Sequence, residues 1–180
     1  MVNGIVVGTG DLSELALGWA TYNGDHMSAY AVNADVPKTT IRHVVEYCAK
    51  MSEDPALSET LRDIIGTPVS PELLPITGKE SDQKTEDIVG PYELHDFYLY
   101  NLLKNGYTPH KIGWLAKQAF EGEYSAETVD KWLSTFMRRF VSQQFKRSCM
   151  PDGPAVFDFS LSPRAGFNFP SDAAGEVLKY

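Results

Sequence analysis

Residues 4–19 read GIVVGTGDLSELALGW, and this stretch decides the fold class of the chain. Its first four residues are a glycine and three β-branched residues, which predict a short buried strand at 4–7. A glycine turn follows at 8–11, and apolar residues then recur at helical spacing as far as Trp19, with Asp11 close to the helix start. The order of strand, glycine turn and helix is typical of an α/β unit.

Helical patterns dominate the rest of the chain. Pro37 suits the first turn of a helix whose apolar stripe comprises Ile41, Val44, Val45 and Cys48. Further helices are predicted at 55–65, 94–102, 108–119 and 125–141, with Thr108 and Ser125 as N-caps. The polar stretch 66–91 predicts a lid, a binding loop or plain surface disorder. A proline- and glycine-rich tail begins at residue 150, and residues 156–161 could form a short strand within it.

The predicted elements are unevenly distributed along the chain. A parallel α/β unit needs at least two strands and a crossover connection, yet one clear strand precedes a series of helices. A buried strand that begins at residue 4 implies partner strands outside this sequence. We therefore expect that the N-terminal half of the domain is missing from the chain; the alternative is that the strand pairs with another subunit.

Composition excludes several classes of protein. The 180 residues carry a formal net charge of −8, which disfavours general binding to nucleic acid. Cys48 and Cys149 are too few and too far apart for a disulfide framework or a zinc site, so reduced thiols in a cytosolic protein are expected. The sequence contains neither a membrane-length apolar run nor a signal-peptide pattern, and a cytoplasmic location is the default prediction.

Asp11 and Glu14 are the first candidates for chemistry. They lie three residues apart and project from one side of the first helical turn. One interpretation is a simple helix-start preference, because acids favour the positive end of the helix dipole. The other is a pair of oxygen ligands for Mg²⁺, which binds one or two carboxylates together with substrate phosphates. The glycine turn does not match a dinucleotide fingerprint, because Ser13 occupies the third glycine position.

Cationic and aromatic side chains supply the remaining candidates. Lys38 lies near a helix start, where the dipole disfavours a cation, and this weakly indicates an anionic ligand. A basic cluster could be either a solvated helix face or a set of phosphate or carboxylate contacts; its members are Arg138, Arg139, Lys146 and Arg147. Trp19, Tyr22 and His26 could stack on a ligand ring, although core packing is the alternative for Trp19.

Residues 8–19, GTGDLSELALGW, resemble the signature of the NAD+ synthetases. The resemblance continues through residues 21–22, 24–25, 27–28, 32–33, 36–39, 85–87, 90–97, 138–140, 142–148, 151–154 and 161–164. The Phe145-Lys146-Arg147 motif and the long tail with its Ser-Pro-Arg are similar to the large, glutamine-dependent form of the family.

The resemblance implies both a fold and a reaction. The fold would be α/β, the C-terminal portion of an adenine-nucleotide α-hydrolase-like (N-type ATP pyrophosphatase) Rossmann-like domain, mostly helical in this fragment. Residues 1–150 would form that portion and residues 151–180 a C-terminal tail. In the reaction, ATP adenylates the nicotinic carboxylate of deamido-NAD+, and ammonia taken from glutamine then displaces AMP to give NAD+.

The resemblance also assigns residues to the substrates, although it assigns no catalytic side chain. The expected ATP contacts are Thr9, Lys38 and Ser70. The expected deamido-NAD+ contacts are Glu14, Trp19, Ala20, Thr21, Tyr22, Asp87 and Lys146. Glu14 is in addition the expected Mg²⁺ ligand. Mg²⁺, Lys38 and Lys146 would offset the repulsion between the attacking carboxylate and the triphosphate.

One departure from the family pattern limits these expectations. The sequence contains neither the SGGxDS-type phosphate loop of the family nor a glutaminase domain, and Cys48 and Cys149 have no nucleophile context. We predict that the chain alone does not make NAD+, that its partners are the missing N-terminal part and the glutaminase domain, and that it forms a homo-oligomer. The alternatives are another ATP-pyrophosphatase-type synthetase, such as a GMP or asparagine synthetase, and a non-catalytic interaction module derived from a synthetase.

Overall fold

The computed structural model describes residues 3–24, 27–67, 88–174 and 178. Two strands of two residues each, β1 (Val7–Gly8) and β2 (Tyr30–Ala31), accompany the helices. The helices are α1 (Leu12–Leu17), α2 (Lys38–Met51), α3 (Pro55–Gly66), α4 (Tyr92–Leu103), α5 (Pro109–Ala119), α6 (Ala126–Ser142) and α7 (Gln144–Arg147), with a 3₁₀ turn at Pro163–Ala165. In the part of the chain that the structure describes, no helix is both long and apolar enough to cross a membrane.

The two strands are parallel, with Val7 opposite Tyr30 and Gly8 opposite Ala31. The prediction of a buried strand at 4–7 is wrong for the described residues, because β1 begins only at Val7 and the side chains before it are exposed. Ile5 is 72% exposed and Val6 is 65% exposed. A strand becomes buried only when other elements cover it, and the described residues offer β1 little more than the two-residue β2.

The predicted N-caps of α5 and α6 are confirmed, because each side chain makes the hydrogen bond that its sequence signal requires. Thr108 Oγ1 accepts a bond from the Lys111 amide, and Ser125 Oγ accepts one from the Thr128 amide. Pro109 occupies the first turn of α5, where no backbone donor is needed. These local signals fix where α5 and α6 begin.

The core lies where α4, α5 and α6 meet α1. Its fully buried side chains come from all four helices and include Leu12, Leu17, Leu94, Tyr98, Ile112, Leu133 and Phe136. His95 is buried in this core within an aromatic cage, and its Nε2 lies 2.6 Å from the Val89 carbonyl oxygen. Since a carbonyl can only accept, the proton is on Nε2, and Nδ1 has no hydrogen-bond partner among the described residues. Burial lowers the pKa of His95 to about 4.

Helices α2 and α3 form a hairpin that packs through small residues. Ser58 Oγ donates to the Ala49 carbonyl oxygen at 2.5 Å, and both residues are buried. The predicted apolar stripe of α2 is only partly its inner face, because Val44 and Cys48 are exposed whereas Ile41 and Val45 are half-buried.

The tail packs on the same core. Leu161 is fully buried, and the Ala31 amide of β2 donates to the Asp152 carbonyl oxygen at 2.8 Å. The suggested strand at 156–161 is absent from the described tail, because no neighbouring strand pairs with it. Phe157 and Phe159 stack on each other instead, with ring centroids 5.4 Å apart.

Candidate functional site

The candidate site begins at the carboxyl ends of the two parallel strands, which is where open α/β sheets bind ligands. The turn after β1 carries the exposed Thr9 and the buried Asp11. The segment after β2 leads into α2, and Lys38 is the first residue of that helix. The two strand ends thus bring the turn after β1 and the start of α2 to one edge.

Asp11 and Glu14 form a capping box at the start of α1. The Asp11 Oδ1 atom accepts the Glu14 amide at 2.9 Å, and Glu14 Oε2 accepts the Asp11 amide at 3.2 Å. The helix-start interpretation of this pair is therefore confirmed. It leaves one oxygen of each carboxylate for another partner.

Lys38 takes up those two remaining oxygens. Its Nζ lies 2.8 Å from Asp11 Oδ2 and 2.9 Å from Glu14 Oε1, in a largely buried ion-pair network. The cation at the start of α2 is thus compensated by the acids at the start of α1. Its ammonium also lies 5.1 Å from the centre of the Tyr92 ring.

Asp96, which the sequence analysis did not single out, holds this arrangement in place. From α4 it accepts the Thr39 amide at 2.9 Å and the Thr39 hydroxyl at 2.7 Å. The Ser13 hydroxyl also donates to Asp96 and in turn accepts the Lys38 amide at 2.9 Å. One carboxylate therefore ties α1, α2 and α4 together and supplies the N-terminal cap that Pro37 cannot. An acid among the mostly aromatic and aliphatic residues of α4 is the sequence signal that could have revealed it.

The charges of this acid–lysine cluster (Asp11, Glu14, Lys38 and Asp96) do not balance. Burial raises the pKa of Asp11 and of Glu14, and it also raises the pKa of Asp96. Although burial alone would lower it, the pKa of Lys38 is raised by the Asp11 and Glu14 carboxylates. Three carboxylates face one ammonium, so an added cation would be favoured there.

A second group of contacts surrounds the segment 18–22, which leaves the C-terminal end of α1. Lys146 Nζ donates to the Gly18 carbonyl oxygen at 2.8 Å and to the Ala20 carbonyl oxygen at 2.6 Å. The Arg139 guanidinium lies 5.2 Å from the Trp19 ring centre, and Tyr22 packs on the Phe145 ring with centroids 5.4 Å apart. We call residues 139–147, which make these contacts, the clasp.

Within the basic cluster, only Arg138 is exposed as a solvated helix face requires, because Arg139 and Lys146 are half-buried and Arg147 is buried. Arg147 is fully buried and binds the carbonyl oxygens of Leu15 and Ala16 through Nη1, at 3.1 and 3.0 Å. Arg139 Nε binds the Leu17 carbonyl oxygen at 2.9 Å. These cations meet the C-terminal carbonyls of a helix, where the dipole favours positive charge.

The structure thus brings most of the predicted site residues to the two ends of α1. Glu14 and Lys38 meet at its N-terminal end, with Thr9 in the preceding turn. Trp19, Ala20, Thr21, Tyr22 and Lys146 lie at its C-terminal end. Six helical residues span about 9 Å, so the two groups are near neighbours. Ser70, Asp87 and His26 lie outside the described residues.

Glu14 is the residue here that fits a metal ligand. Both carboxylates have both oxygens engaged, but the Glu14 side chain is 22% exposed, whereas that of Asp11 is 3% exposed. Each carboxylate oxygen of Glu14 has a second lone pair beyond its present bond. Within residues 3–24, 27–67 and 88–174, no group of three His, Cys, Asp or Glu side chains could hold a metal by itself. A divalent ion bound to Glu14 would therefore need further ligands from outside these residues, such as the phosphates of a substrate.

Comparison with known proteins identifies relatives of the chain. A family model described as NAD synthase matches residues 1–148. The glutamine-dependent NAD(+) synthetases of Mycobacterium bovis and Mycobacterium tuberculosis are each 43% identical to this chain over 194 aligned residues. Each alignment covers 97% of this chain but 28% of the relative, so the chain spans little more than a quarter of the length of these curated relatives.

A solved structure shares the fold. The glutamine-dependent NAD(+) synthetase of Cytophaga hutchinsonii superposes with a TM-score of 0.71 over 97% of this chain and 25% of its own, at 19% sequence identity. The described helices and small parallel sheet are thus consistent with a part of an α/β domain, as the sequence predicted.

Proposed function

Because the chain belongs to the NAD synthase family, we propose that it is the part of a glutamine-dependent NAD+ synthetase that positions ATP and deamido-NAD+ for amide formation. The observation that carries the proposal is the meeting of Glu14 and Lys38 at the carboxyl ends of two parallel strands. In this reaction ATP adenylates the nicotinic carboxylate, pyrophosphate leaves, and ammonia derived from glutamine displaces AMP.

Lys38 and Thr9 are the proposed ATP contacts among the described residues, and Ser70 is a third proposed contact. The Lys38 ammonium lies at the edge where an anionic nucleotide would approach, and it is partly exposed. Moving from the carboxylates to the phosphates would let it neutralise charge that develops during adenylation. Such catalysis consists mainly of positioning and requires no nucleophilic side chain.

The segment 18–22 and Lys146 are the proposed contacts for deamido-NAD+, together with Glu14 and Asp87. Thr21 and Tyr22 are exposed, so their side chains are accessible to a ligand. Tyr22 provides an aromatic surface on which a planar ring can stack. The clasp holds the backbone of this segment in one conformation, which reduces the entropy lost on binding.

Mg²⁺ is the proposed cofactor, and Glu14 would hold it together with substrate phosphates. The excess negative charge of the acid–lysine cluster supports this proposal, because a divalent cation would offset it. When bound, the ion would supply Lewis-acid stabilisation of the phosphate oxygens.

The proposed partners are the remaining parts of a synthetase. The exposed apolar side chains that precede and form β1 support a further strand from a phosphate-loop segment as the neighbour of β1. A glutaminase domain would supply ammonia. We also propose that the protein is homo-oligomeric and cytoplasmic, and that the isolated chain does not complete the reaction.

Calorimetry of the purified chain with deamido-NAD+, and separately with Mg-ATP, tests the proposal. We expect measurable binding of both, and a loss of about tenfold or more in Mg-ATP affinity for Lys38→Gln, since one charge-assisted contact is removed. Lys50→Gln is the matched control, because Lys50 lies on the same helix in an exposed pair with Glu46. Pyrophosphate release by the chain alone should be undetectable.

Two results would contradict the proposal. If the folded chain binds neither substrate, the alternative of a non-catalytic interaction module is favoured instead. Equal Mg-ATP affinity in Lys38→Gln and Lys50→Gln would show that Lys38 does not contact ATP.

A further inference from the structure

Arg147 is the most deeply buried cation of the described chain. It is fully buried, and no carboxylate of the described residues pairs with it. Its Nε donates to Gln144 Oε1 at 2.8 Å, its Nη2 donates to the Phe140 carbonyl oxygen, and its guanidinium lies 4.5 Å from the Phe140 ring centre. A buried, unpaired cation is costly, so its hydrogen bonds must have a specific role.

That role is visible at the end of α1. A helix leaves its last four carbonyl oxygens without intrahelical partners, and in a six-residue helix these are most of the carbonyls. Arg147 Nη1 donates hydrogen bonds to two of them, the carbonyl oxygens of Leu15 and Ala16. It supplies a positive charge at this end of the helix, and its donors add to that of the Gly18 amide, which already bonds to the Leu15 carbonyl oxygen at 3.3 Å.

The bonds continue in order along the chain. Arg139 Nε donates to the next carbonyl oxygen, that of Leu17. Lys146 Nζ donates to those of Gly18 and Ala20. At Gly18 the backbone turns with φ of +60°, and an added Cβ would lie 2.2 Å from the Cβ of Gln143. The last turn of α1 and the segment 18–22 therefore pack against the clasp, and Arg147 makes the contacts that come first along α1.

We propose that Arg147 is a positioning residue that fixes the path of the segment 18–22 through the carbonyl oxygens of α1. Because Arg147 is fully buried, it acts through the backbone that carries Trp19 to Tyr22. The guanidinium suits this task because its planar fork holds the carbonyl oxygens of α1 on one side while its other donors bind Gln144 and Phe140. The expected effect of Arg147 on deamido-NAD+ affinity rests on the proposed function. Its expected effect on the backbone of the segment 18–22 does not.

Arg147→Lys tests the proposal, with Arg138→Lys as the matched control on the exposed side of α6. Hydrogen exchange followed by mass spectrometry compares the segment 15–22 with α4 and α5. We expect exchange about tenfold faster in 15–22 of Arg147→Lys, unchanged exchange in α4 and α5, and no effect of Arg138→Lys. Unchanged exchange in 15–22, or equal acceleration throughout the chain, would overturn the proposal.

Ligand affinity provides the second measurement. The Kd of Arg147→Lys for deamido-NAD+ should rise about tenfold while its Kd for Mg-ATP stays constant, because Lys38 is at the other end of α1. Equal losses for both ligands would indicate a merely structural role. If the unmodified chain binds no deamido-NAD+, the proposed function fails and hydrogen exchange still decides the role of Arg147.

A milder variant covers the case in which Arg147→Lys does not fold. Gln144→Ala removes the oxygen that holds Arg147 Nε and leaves the guanidinium in place. We expect the same selective acceleration in 15–22, smaller in size. Wild-type exchange in that segment would count against the proposal.

Discussion

His95 should make the folded chain sensitive to mild acid. Its pKa lies at about 4 in the folded protein, against an ordinary value of 6.5. Between these values the unfolded chain binds a proton that the folded chain excludes, so stability falls as the pH falls below 6.5. The lost stability is about 1 kcal/mol at pH 5.5 and about 3 kcal/mol at pH 4. Above pH 7 almost none of this effect remains.

Urea unfolding of the wild type and of His95→Gln, measured from pH 7.5 to 4, isolates this effect. Glutamine can keep the donor to the Val89 carbonyl oxygen but does not titrate. The buried carboxylates of Asp11, Glu14 and Asp96 have raised pKa values and change stability in the opposite direction with pH, but they are common to both proteins and cancel in the difference. Parallel stability curves for the two proteins between pH 7 and 4.5 would refute the reasoning.

Two further substitutions test the packing that positions the site. Gly18→Ala should destabilise the chain by about 2–4 kcal/mol, because the residue has φ of +60° and the new Cβ would meet Gln143; a loss below about 1 kcal/mol in urea unfolding would contradict this. Leu161→Ala should cost about 2–4 kcal/mol in the same assay, because this tail side chain is fully buried, whereas Val156→Ala, at a position 54% exposed, should change stability by less than about 0.5 kcal/mol. Equal effects of the two tail substitutions would show that the tail does not belong to the core.

Local signals in the sequence were sufficient where the responsible atoms are close in the chain. Asp11, Thr108 and Ser125 each cap a helix by accepting an amide three residues later, so the residue type and its spacing carry the information. The same reasoning found Glu14 and Lys38 as candidates, although it did not reveal that they would pair with each other.

The sequence was insufficient where the partner is distant or is backbone. Arg139, Lys146 and Arg147 bind carbonyl oxygens more than a hundred residues earlier in the chain, and no spacing rule identifies such partners. Hydrophobic patterns have a similar limit, because they indicate that a side chain favours burial without indicating what will cover it. Val6 and Val44 are therefore exposed in the described chain although their patterns predicted inner faces.

The hydrogen bond between Arg147 and the Leu15 carbonyl oxygen joins residues 132 positions apart, and this separation affects the order in which the helices fold during synthesis. A helix of six residues is far below the length of about 12 residues at which isolated helices begin to persist in water. Therefore α1 cannot settle while the ribosome is still adding the residues before Arg147. During synthesis the helices around α4 to α6 can pack first, and the turn carrying Asp11 and Glu14 acquires its final shape only after Arg147 has been added.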